Sequence, residues 1–102
     1  MTPEELFNKI EHVDRQSAEM MRDLVVTEVL TAEAMIEVAK TEFAAGETGH
    51  ALRVAEKATL AHDTGMKWLE RLENKGFGGV DLRQSLAKVQ AALQRLPAGP
   101  AK

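Results

Sequence analysis

An all-α fold is predicted, a long helical hairpin carrying a third helix. Three observations carry it. Apolar residues recur at steps of three and four from Leu6 to Phe43, with no glycine or proline between Pro3 and Gly46. The stretch from Phe43 to Leu52, with Gly46 and Gly49 inside it, then breaks the pattern and reads as a tight turn. A third stripe, Leu82, Leu86, Val89, Leu93 and Leu96, follows a second glycine-rich break and stops at Pro97.

The first helix has a strong start. Thr2 can cap, Pro3 is preset for the first helical position, and Glu5 can close a capping box. Glu4 and Glu5 also suit the positive end of the helix dipole. The stripe runs Leu6, Ile10, Val13, Ser17, Met21, Val25, Val29, Ala32, Ile36, Ala39 and Phe43. One continuous helix over that span would be roughly 60 Å long. Leu24 to Thr31 is rich in β-branched residues and apolar nearly all round, so it is expected to be the most buried part. A kink near residues 26–31 would fold the N-terminal third back into a four-helix up-down bundle. Continuity is the preferred reading, because no breaker residue is present.

At the turn, Gly46 accepts the left-handed conformation that ends a helix. Thr48 is expected to cap the second helix. That helix can run to Asn74 over a small-residue face of Ala51, Ala55, Ala58, Ala61 and Gly65, then Leu69 and Leu72. Small residues let helix axes approach and raise dispersion contact. Asp63 offers a possible restart. Gly76 marks the end, and Phe77 to Val80 reads as a loop. Asp81 is expected to cap the third helix, with Val80 packing over its first turn. Residues 1–96 form one domain, and 97–102 are expected to be a flexible tail.

The spacing around the turn resembles a single tetratricopeptide unit, over roughly residues 32–65. Met35, Val38, Ala39, Gly46, Ala51, Leu52 and Ala58 fall on that family's large, aliphatic, small, glycine, alanine-leucine and alanine positions. Glu42 and Ala55 stand where aromatics are usual, and Asp63 stands where the closing proline is usual. The window from Met66 on does not repeat the pattern, whereas such repeats need about three units to bury a continuous core. The resemblance therefore implies helical-hairpin geometry and not a peptide-binding array.

Composition narrows the function classes. The 102 residues suffice for one modest core, built from Leu, Val, Met and Ala, with Phe7, Phe43, Phe77 and Trp68 the only aromatics. There is no cysteine, hence no disulfide and no thiol chemistry, which fits a reducing compartment. The acidic start predicts no signal peptide, and no apolar run is long enough for a membrane span. Residues 1–48 hold 4 Lys/Arg against 11 Asp/Glu, and residues 49–102 hold 9 against 5. An acidic helix beside more basic ones explains this better than a nucleic-acid surface, since no stacking aromatics interleave the cations.

Candidate chemistry is thin. His12 reads as a surface residue and His62 as a partly buried core histidine. Glu47 and His50 have the Glu-x-x-His spacing of di-metal bundles, but it occurs once and across a turn, so no metal is expected. His50 followed by Arg53 faintly resembles a histidine phosphotransfer site, in which Arg53 would hold the phosphate. Val54 replaces the glycine that would expose the histidine there. Ser17 and Ser85 lie in helical patterns with no elbow motif. Gly76-Phe-Gly-Gly79 lacks the Lys-Ser/Thr of a phosphate loop.

The expectation is a small cytoplasmic interaction or scaffold protein, with no catalytic residues, no cofactor, and no nucleic-acid or membrane partner. It is expected to form a homodimer through Leu6, Phe7, Ile10 and Val13, which overhang the shorter second helix. The alternatives are a phosphotransfer adaptor using His50 and Arg53, and an enzyme subunit without catalytic groups of its own.

Overall fold

A computed structural model describes residues 2–97, without the side chains of residues 7 and 9–14. Every described element is a helix: α1 (Pro3–Ala44), α2 (Thr48–Asn74) and α3 (Val80–Gln94). The long hairpin and its third helix are as the sequence predicts. The molecule is a rod of 66 × 18 × 18 Å, its long axis set by α1. α1 is unbroken through residues 26–31, so the kinked four-helix alternative does not occur. Residues 98–102 of the expected tail lie outside the described residues.

Thr2 caps α1, its Oγ1 accepting the Glu5 N–H at 3.2 Å, and Pro3 opens the first turn. At the far end the Gly46 N–H donates to the Phe43 carbonyl (3.1 Å) and the Glu47 N–H to the Glu42 carbonyl (2.8 Å). These two bonds are the Schellman motif, and they require the left-handed φ of +82° that Gly46 adopts. Gly46→Val is therefore expected to cost about 1–2 kcal/mol, because a β-branched side chain is strained at that φ. The melting midpoint checks this: an unchanged midpoint would mean that the turn does not depend on the left-handed residue. The end of α2 repeats the device, with Gly76 at φ +86° and the Phe77 N–H on the Leu72 carbonyl at 3.2 Å.

Two expected caps are corrected. Thr48 is the first residue of α2, and the N-cap is Glu47, which makes no side-chain capping bond. The motif that ends α1 uses Gly46 and Glu47, so only three residues separate the helices and Thr48 is already inside the next one. The N-cap of α3 is Gly79, not Asp81, and Val80 is 71% exposed rather than packed over the first turn. Gly79 sits flush on the core: a Cβ there would lie 2.5 Å from Leu69 Cδ1. That close approach starts the helix two residues earlier than the capping signal. α3 ends at Gln94, because Leu96 precedes Pro97 and is steered out of the helical region.

The core follows the stripes. Met21, Val25, Val29, Ala32 and Ile36 of α1 pack with Ala58, Ala61, Leu69 and Leu72 of α2 and with Leu82, Leu86 and Val89 of α3. Alanines at Ala32, Ala39, Ala51 and Ala58, none with exposed surface, allow the hairpin axes to approach. The segment Leu24–Thr31 is not buried all round as its composition suggested. Val25 and Val29 are in the core, but Val26 is 40% and Leu30 61% exposed. With two neighbours among the described residues, α2 and α3, α1 keeps an outer face in solvent. Thr27 satisfies its hydroxyl locally, donating to the Asp23 carbonyl at 2.9 Å.

Candidate functional site

The length mismatch in the hairpin defines the candidate surface. α1 has 42 residues and α2 has 27. At about 1.5 Å per residue, α1 outruns α2 by roughly 20 Å. The level at which α2 ends is fixed by a cavity of about 260 Å³ that Leu72, Phe77 and Gly78 share with Arg15, Ala18, Glu19 and Arg22. α2 and the loop after it therefore stop alongside residues 15–22 of α1, and residues 3–14 project beyond them. Leu6 is 51% exposed on this projection. The side chains of Phe7, Ile10, Val13 and His12 lie outside the described residues.

The foot of the projection is held by ion pairs. Arg22 of α1 donates to both carboxylate oxygens of Asp81 in α3, and to Oδ1 at 3.3 Å. Arg83 of α3 donates from Nε (3.2 Å) and Nη2 (2.5 Å) to Glu73 at the end of α2. The hydrogen bond from Arg22 holds the Asp81 carboxyl below the ordinary carboxylate range, and that from Arg83 does the same for Glu73. The first pair has the reverse polarity to the expected acidic helix beside basic ones, since here α1 supplies the cation.

A carboxyl with a depressed folded pKa adds stability above its unfolded value, about 3.9 for Asp and about 4.3 for Glu. That stability is lost as pH falls through the lower folded value. Asp81→Asn is accordingly expected to lower the melting midpoint at neutral pH and low salt, and the difference from wild type should vanish in acid below both values. A difference that persists in acid would mean that Asp81 acts by something other than its charge. Both pairs are solvent-exposed, so salt should also weaken the effect.

The histidine reading is placed at the opposite end. His50, half-exposed in the first turn of α2, pairs through Nδ1 with Glu42 Oε2 of α1. Its partner is thus Glu42 across the turn and not Glu47 at the Glu-x-x-His spacing. Arg53 is exposed one turn on. A phosphoryl group on Nδ1 would meet the Glu42 carboxylate, whose charge opposes it. His62 is partly buried, as expected, with Nδ1 3.1 Å from Asp63 Oδ1. Among the described residues no three or more His, Asp or Glu side chains gather where they could hold a metal ion. Among the same residues no helix is long and apolar enough to cross a membrane.

Sequence reasoning missed the Glu42–His50 and Arg22–Asp81 pairs. The first has a signal, an acid and a histidine flanking a three-residue turn. The second joins residues 59 apart and leaves none. Comparison with protein families, curated proteins and solved structures finds no match to this chain.

Proposed function

We propose that the chain is a small non-catalytic interaction protein of the cytoplasm, working through helix faces and self-associating as a homodimer through Leu6, Phe7, Ile10 and Val13. The observation that supports this is the excess length of α1, whose residues 3–14 project past the end of α2. Apolar positions at helical spacing on an uncovered stretch usually mark an interface. A two-fold pairing of identical stretches is the commonest closed assembly. The hairpin of residues 32–65, with its likeness to a tetratricopeptide unit, is proposed to serve as the rigid stem and not as a peptide groove.

Ile10→Asp tests the reading. It is expected to give a folded monomer, with the wild-type helical content and a core that still melts cooperatively. A variant that remains dimeric would remove the projection from the interface. A variant that unfolds in a chain already monomeric would mean that position 10 belongs to the fold itself.

A further inference from the structure

We propose that two copies pair in one antiparallel register, the tip of each α1 lying against the cavity at the foot of the other's projection; this rests on the self-association proposed above. Positions 6, 10, 13 and 17 are spaced four, three and four apart, so they share one face of α1. When position 6 lies opposite the partner's 17, position 10 lies opposite its 13. The two-fold axis then repeats both pairings, and every stripe position meets another. A shallower overlap with 6 opposite 10 sets 13 against the partner's Pro3 and leaves 17 with nothing opposite.

Charge favours the same depth. Residues 1–14 carry Glu4, Glu5, Glu11 and Asp14 against Lys9 alone, so a shallow overlap sets acid on acid. In the deeper register the exposed Glu4 and Glu5 pass the partner's Asp14. They come level with its Ala18 and Glu19, one helical turn from Arg15 on one side and Arg22 on the other. Glu19 opposes them, and Arg22 already holds Asp81, so the contribution is to register more than to strength. The cavity at that level is lined by Ala18, Leu72 and Phe77 together with the charged Arg15, Glu19 and Arg22. In this register it receives the tip that carries Leu6.

Disulfide trapping reads the register directly, because the chain has no cysteine of its own. Positions 6 and 17 of one chain are about 16 Å apart along α1, too far for an internal bridge. Leu6→Cys/Ser17→Cys is expected to oxidise to a covalent dimer at least about ten-fold faster than either single variant, whose like positions are equally far apart in this register. Adding Ile10→Asp should abolish the trapping. As a second measurement, Gly78→Leu places a side chain where an added Cβ meets nothing within 4 Å. Because Gly78 lines the cavity, the leucine is expected to take up part of it and should weaken the dimer at least about ten-fold. If wild type is dimeric but the single variants cross-link as fast as the double, the register is wrong while self-association stands. If Gly78→Leu associates as tightly as wild type, the cavity is not part of the interface. A wild-type chain that is monomeric overturns both the register and the reading beneath it.

Discussion

Leu69→Ala is expected to destabilise the fold by about 3–4 kcal/mol. Leu69 has no exposed surface and packs in the cluster that joins all three helices. It is also the residue against which the Gly79 backbone lies, so its loss opens space where the α2–α3 loop is seated and the backbone cannot collapse far to refill it. Domains of this size are stable by about 5–15 kcal/mol, so the variant forfeits a large share of the total. At about 4–8 °C per kcal/mol, the melting midpoint should fall by roughly 12–30 °C. A fall of only a few degrees would mean that α3 and its loop contribute little to the cooperative unit.

Gly65→Val is expected to cost about 2–3 kcal/mol through overpacking. Gly65 is buried in the middle of α2, where glycine itself lowers helix propensity by about 1 kcal/mol relative to alanine. It is tolerated because both other helices converge on it. A Cβ would stand 3.0 Å from Leu86 Cδ2 of α3 and 3.4 Å from Glu28 Cβ of α1. Alanine recovers propensity but presses on Leu86, so its two effects oppose each other. Valine adds branches toward both neighbours and has no such balance. Denaturant unfolding of Gly65→Val checks this, and a midpoint equal to wild type would show that the three helices are not in close contact at this level.

The helices were legible because their signals are local and redundant. Thr2 and Pro3 mark the start of α1, an unbroken stripe carries it to Phe43, and Gly46 stops it, so no distant contact has to be known. The caps at Thr48 and Asp81 were misjudged because each is decided by what precedes it. At Thr48 the Schellman bonds of Gly46 and Glu47 shorten the connection. At Asp81 the seating of Gly79 on Leu69 moves the start of α3. The exposure of Val26 and Leu30 was hidden for another reason: hydrophobicity around a helix does not say how many neighbours it has. At the candidate surface, the length difference between α1 and α2 could be read from residue counts. The cavity at its foot could not, since it depends on where the loop at Phe77 and Gly78 meets α1.

Sedimentation equilibrium of the wild-type chain across the micromolar range tests the central claim most directly. The account predicts a mass that rises with concentration from one chain toward two and levels there, as a closed two-fold pair requires. A mass that stays at one chain throughout, or that climbs past two without levelling, would contradict it.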